Sequence, residues 1–174
     1  MFESLHSVLI KSDLSNDIVC WIPYNPTHNI VCHFTTEQWH MIVEAANDEK
    51  AFRQLLMDLK YVSSCWLLKD VKSNIFIGFC FMNITDWHRK IVLFHGGGWS
   101  TDLLASRKYL QGANLMLNTL RANGMKIRTE CKKENVRAER FIKVIGFRCF
   151  RRDNERSYFY LPDNFSSIIK RTAT

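Results

Sequence analysis

The residues of this chain best equipped for chemistry are six cysteines, six histidines and a run of three glycines. The cysteines are Cys20, Cys32, Cys65, Cys80, Cys131 and Cys149, and an even count invites a disulfide reading. Their settings argue otherwise. IVCWI, SSCWLL, GFCFM and RCF are apolar, strand-like stretches in which a free thiol behaves as a small hydrophobe. There is no C-x-x-C pair and no H-x-x-x-H pair, so a structural zinc site has no local anchor. His28 and Cys32, four apart with His33 adjacent, have the spacing of metal ligands but read better as strand residues, and no metal is expected. The run His95-Gly96-Gly97-Gly98-Trp99-Ser100-Thr101-Asp102 could form a nest of backbone amides that cradles a phosphate. It serves equally as a flexible strand exit, which is the favoured reading.

Charge supplies the second chemical signal. The net charge of +7 is uneven, because residues 1–120 carry a net of −1 and residues 121–174 a net of +8. A basic patch of that size attracts polyanions, phosphorylated ligands or acidic partners, although a solvated helix face also explains it. Phe147, Phe150, Tyr158, Phe159 and Tyr160 lie among the arginines as stacking platforms would. Alternation in such strands sends one face into a core, so nucleic acid is not the expected partner. Hydrophobic residues at 47% and charged residues at 24% exclude a disordered chain. No run of 18 apolar residues exists, so no membrane span is expected. The N-terminus has no basic region leading into an apolar block, so no secretory signal is expected either. With reduced thiols, this points to the cytoplasm.

The elements that would position these groups follow from periodicity. Residues 17–22 and 29–34 read as short strands around the turn YNPTHN. Thr35 or Thr36 caps a helix over TTEQWHMIVEAAN, and Asp48 starts a second one whose Phe52, Leu55, Leu56 and Leu59 form a core stripe. Residues 65–69 and 75–84 read as an antiparallel hairpin, the longer strand apolar enough to be buried on both faces. Residues 91–95 form a third strand. A helix runs from about Leu104 to Asn123, stopped by Asn123-Gly124. Residues 125–131 are a strand, 135–145 a helix closed by Gly146, and 147–151 with 157–161 a last strand pair around DNER. The order predicts a mixed α+β sheet with helices on its faces.

This order, and the segment NVRAERFIKVIGF in particular, resembles the GNAT N-acetyltransferase superfamily. Asn135, Ala138, Gly146 and Phe147 match a family helix that opens with Asn, carries Ala three later and ends in Gly-Phe before a strand. The resemblance implies an α+β, GNAT-like fold: a mixed, mostly antiparallel central sheet, helices on both faces and two splayed central strands. Residues 1–174 are then a single GNAT-like domain. It implies acetyl-CoA as cofactor and acetyl transfer to an amine by direct attack. The family's pyrophosphate loop, Gln/Arg-x-x-Gly-x-Gly/Ala, finds its best register at Arg107-Lys108-Tyr109-Leu110-Gln111-Gly112. A pyrophosphate would sit on helix-start amides near Gly112, helped by the Arg107 charge. Carried over residue by residue, the cofactor-binding set is Leu93, Phe94, Arg107, Gly112, Ala113 and Asn135.

Two departures stand against catalysis. Leu110 replaces the first loop glycine, and a β-carbon there would crowd the phosphates. Phe141 stands where the family often places a tyrosine acid, and it has no proton to give. The strand that often supplies a glutamate base has none in residues 91–94, so His95 is the candidate catalytic base. The alternative is a non-catalytic GNAT-fold protein that works by binding a protein partner. Phage-encoded head-assembly proteins of podoviruses resemble the fold in that way, and virion assembly would then be the function.

Overall fold

The structure is a computed structural model and describes residues 4–24, 64–98 and 103–164. In chain order these form α1 (Leu5–Ile10), β1 (Val19–Tyr24), β2 (Ser64–Asp70), β3 (Phe76–Asp86), β4 (Ile91–Gly98), α2 (Leu103–Ala122), β5 (Lys126–Lys132), α3 (Val136–Ile145), β6 (Arg148–Arg152) and β7 (Arg156–Tyr160). Seven strands hydrogen-bond in the order β1-β2-β3-β4-β5-β7-β6. The expected α+β class, with a mostly antiparallel sheet, is met. The strand read at 29–34, both helices read between Thr35 and the second strand pair, and the residues His28, Cys32 and His33 lie outside the described residues. Sequence periodicity gave no notice of α1, a six-residue helix whose start is capped by Ser4 Oγ accepting from Ser7 N. No helix among the described residues is long and apolar enough to cross a membrane.

The chain divides into two compact units, residues 1–83 with 96–112, and residues 84–95 with 113–174. In the first, β1 pairs antiparallel with β2, and β2 with β3, as the hairpin reading expected. Pro23 lies in β1 opposite Trp66. A proline is tolerated there because β1 is an edge strand and need not donate on its outer side. Strand β3 corrects the expectation of two buried faces. Gly78, Cys80 and Met82 are buried, whereas Phe79 and Phe81 are half-buried and stack on each other at 6.3 Å.

The glycine run takes a form that neither sequence reading anticipated. Gly96, Gly97 and Gly98 belong to β4 rather than to a flexible exit, and none has the positive φ that a nest requires. Their smallness is used by Tyr109, which is fully buried. A Cβ on Gly78 would stand 2.4 Å from the Tyr109 ring, and one on Gly96 would stand 2.3 Å from its hydroxyl. The ring rests where strand side chains would otherwise be, and its hydroxyl donates to Phe79 O at 3.0 Å. Lys108, next to it on α2, donates to the buried Asp70 carboxylate, which holds Asp70 below the usual carboxylate range.

In the second unit, β5 runs parallel to β4 and is the antiparallel neighbour of β7, which pairs in turn with β6. Val92, Phe94, Met116, Leu117, Leu120, Ile127, Ile145, Phe147 and Phe159 make its core. Helix α3 is bounded as its sequence demands. Asn135 Oδ1 accepts from Ala138 N at 3.0 Å, and Gly146 closes the helix at φ 120°, where a side chain would be strained.

Candidate active site at the opening between β4 and β5

The second unit carries the feature on which an acyl-transfer reading depends. Strands β4 and β5 pair only at Ile91↔Lys126, Val92↔Ile127 and Leu93↔Arg128. Strand β4 continues to Gly98 and β5 to Lys132 without further pairing between them. Beyond Leu93 and Arg128 the two strands are therefore no longer paired with each other. A backbone group that has lost its ladder partner must find another, so such an opening suits an amide-bearing chain laid between the strands.

Register and alternation sort the side chains that flank it. Val92, Phe94, Ile127, Thr129 and Cys131 are buried. Leu93 and His95 fall on the opposite face, as do Arg128, the parallel partner of Leu93, and Glu130, because successive residues of a strand point to opposite sides. There the Arg156 guanidinium, on β7, donates to Glu130 Oε1 at 2.7 Å. Burial holds His95 below the ordinary histidine value. The Glu130 charge opposes that shift and the Arg156 charge reinforces it. The imidazole is thus neutral at pH 7 and able to accept a proton.

The sequence-derived site residues fall into separate places. Leu93, Phe94 and His95 are consecutive on β4 beside the opening, with the Phe94 side chain in the core. Arg107, exposed, is the fifth residue of α2. Gly112 and Ala113 are its tenth and eleventh, which corrects the expectation that Gly112 stands at a helix start. The first turn of α2 is at Leu103, and Gly112 serves packing. A Cβ there would meet Leu68 Cδ2 at 2.5 Å, and its carbonyl accepts from Trp21 Nε1 at 2.7 Å. Ala113 is fully buried. Leu110 is helical and half-buried, so it is not held in the positive-φ conformation that a loop glycine would supply. Asn135 spends its side-chain oxygen on the α3 cap. Phe141 is within α3.

Sequence reasoning missed Glu130 and Arg156. The signal was present: Arg128, Glu130 and Lys132 are the outward residues of an alternating strand, and Arg156 is the partner of Lys132 in the register with β7. The described cysteines are free, as expected. Burial pushes the Cys65 thiol up to about 12 and Cys80 well above its usual value, so neither is a nucleophile. Among the described residues no cluster of His, Cys, Asp and Glu could hold a metal.

No protein-family model and no curated protein sequence matches the chain. Solved structures do. A GCN5-related N-acetyltransferase from Brucella melitensis matches 86% of this chain and 77% of its own, with a TM-score of 0.59 and 15% identity. The N-acetyltransferase PseH of Campylobacter jejuni, in complex with acetyl coenzyme A, matches 84% of this chain and 100% of its own, with a TM-score of 0.54 and 13% identity. The chain spans 64% of a GNAT-family acetyltransferase from Bacillus anthracis, with a TM-score of 0.49 and 13% identity. The fold is that of the GNAT acetyltransferases.

Proposed function

We propose that the chain transfers an acetyl group from acetyl-CoA to an amine by direct attack at the open edges of β4 and β5. The observation that carries this reading is the ladder that stops at Leu93↔Arg128 while both strands continue. Beyond Leu93 and Arg128 the two strands no longer hydrogen-bond each other, and an amide-containing arm can enter between them as a third strand would. Acetyl-CoA supplies an activated acyl carbon when bound. His95 takes the proton that the amine must lose as its nitrogen bonds to that carbon and the carbon–sulfur bond breaks. The half-buried imidazole, held below the ordinary histidine value, suits that role at pH 7. The Glu130 carboxylate, positioned by Arg156, favours the charge that the imidazole then gains. Gly112 and Ala113 drop out of the reading, because their places in α2 are filled by packing.

The leaving thiolate has no tyrosine to protonate it, since Phe141 occupies that position. This one observation favours a second reading, in which the fold binds a protein partner and catalyses nothing.

Thermal unfolding with acetyl-CoA separates the two. A ligand at a hundred times its Kd stabilises a fold by about 2.7 kcal/mol, so a clear rise in Tm is expected for the natural chain and for His95→Gln alike. Amine-dependent thiol release then falls about 100-fold or more in His95→Gln. In the natural chain the acid limb of kcat/KM lies below the ordinary histidine value of about 6.5. Absence of any rise in Tm at saturating acetyl-CoA overturns the enzyme reading.

A further inference from the structure

The outer face of β5, β7 and β6 is a second chemical surface; it adjoins the proposed acetyl-transfer site through Arg128, Glu130 and Arg156 but does not rest on that reading. Cross-strand register arranges it in rows. Arg128 on β5, Tyr160 on β7 and Arg148 on β6 are successive partners, and Glu130, Tyr158 and Arg151 form the next row. The rows are two residues apart along the strands, roughly 6.8 Å. A bulge between Cys149 and Arg151 adds Phe150 to this face. Its ring meets Tyr160 edge-on at 6.1 Å and lies under the Arg128 guanidinium at 5.4 Å, while Arg151 covers Tyr158 at 4.8 Å. Phe150 is 49% exposed and Tyr160 38% exposed. Large aromatics left this open on a sheet are not core residues.

The charge on the face is positive and only partly balanced. Glu130 is taken by Arg156. Asp153, on the turn between β6 and β7, is taken by Tyr158 and Arg151. Arg128 and Arg148 have no carboxylate partner among the described residues. A second copy of this chain is a poor occupant, because β6 is the sheet edge and carries Arg148, Arg151 and Arg152. Like charges of that kind oppose pairing between edges. An occupant must be anionic, extended and supplied with flat apolar groups at intervals comparable to the rows. Single-stranded nucleic acid has all three properties, and rings flanked by arginines on a sheet are how sheets receive it.

We propose that this face binds single-stranded nucleic acid, with Phe150 and Tyr160 stacking bases and Arg128, Arg148 and Arg151 holding phosphates. The expectation from sequence, that alternation sends one face of these strands into a core, holds: Phe147 and Phe159 are buried, and Phe150 and Tyr160 stand exposed on the other face. The test is fluorescence anisotropy of the full chain with a labelled oligothymidylate of about 15 nucleotides. Binding is expected to be tighter than to a duplex of equal length. It should weaken with salt, and Arg148→Ala should reduce the salt slope by roughly 0.7. Phe150→Ala and Tyr160→Ala should each weaken binding about fivefold to a hundredfold. Phe150→Leu and Tyr160→Leu, which keep apolar bulk without a ring, serve if the alanine variants do not fold. The proposal fails if duplex or polyglutamate binds as tightly as the single strand, if nothing binds, or if removing both rings leaves the affinity unchanged.

Discussion

The two compact units use strand β4 in opposite ways. In the first unit its last three residues are glycines, and the space they free is occupied by one aromatic ring, Tyr109, packed to contact and hydrogen-bonded through its hydroxyl. In the second unit its first five residues include the place where pairing with β5 stops, and the backbone edges beyond are left open. One region is closed by a residue that cannot be spared. In the other, the ladder between two strands stops while both strands run on. Glycines mark the closed region, and an interrupted ladder marks the open one. This reverses the usual intuition that a glycine run signals a binding loop.

The contrast is sharpest at Tyr109. Removing the ring in Tyr109→Ala leaves a cavity against Gly78, Gly96 and Gly98, and urea unfolding should show a loss of about 3–5 kcal/mol. Tyr109→Phe keeps the ring and forfeits the bond to Phe79 O, for about 1 kcal/mol. If the alanine variant is as stable as the natural chain, the glycines have no packing purpose and the contrast dissolves. Gly112→Ala comes next. Its new methyl meets Leu68 inside the core, so about 1–3 kcal/mol should be lost. Combining it with Leu68→Ala should recover part of that loss in a double-mutant cycle. A phosphate-binding glycine would instead lose acetyl-CoA affinity with stability intact.

Smaller effects probe the second unit. Asn135→Ala removes the α3 cap and should cost about 1 kcal/mol. A loss of acetyl-CoA binding with no loss of stability would return Asn135 to the cofactor. The smallest effect is on pH. Asp153 accepts from the backbone amides of Arg156 and Glu155 and from the Tyr158 hydroxyl, which brings its carboxyl down to about 2. A carboxyl lowered on folding stabilises the fold above its unfolded value of about 3.9. That contribution fades as the pH falls toward about 2. Hydrogen exchange at the β6–β7 turn should quicken over that window, and Asp153→Asn should remove the dependence.

Much of the fold was legible in the sequence, because its elements announce themselves locally. Asn123-Gly124 ends α2 within a residue of expectation, and Asn135 and Gly146 bracket α3 as their capping chemistry requires. The splayed strands came from resemblance to the GNAT superfamily, since no local pattern encodes where a parallel ladder stops. The site was less legible. Gly112 matched a loop motif letter for letter, yet its smallness answers Leu68, a residue 44 positions away on β2. Gly96–Gly98 looked like breakers because glycine lowers strand propensity, and the ring that overrides this belongs to another element. Glu130 and Arg156 were invisible as a pair until the register of β5 with β7 brought them together.

The raised thiols of Cys65 and Cys80 make the sheet its own reporter. Both sit on the β2–β3 hairpin, and only a thiolate alkylates readily. Iodoacetamide must therefore wait for the hairpin to part, while the half-buried Cys20 and Cys149 meet it sooner. The order in which these four of the six cysteines take up carbamidomethyl groups is a clock for how often β2 and β3 come apart under native conditions.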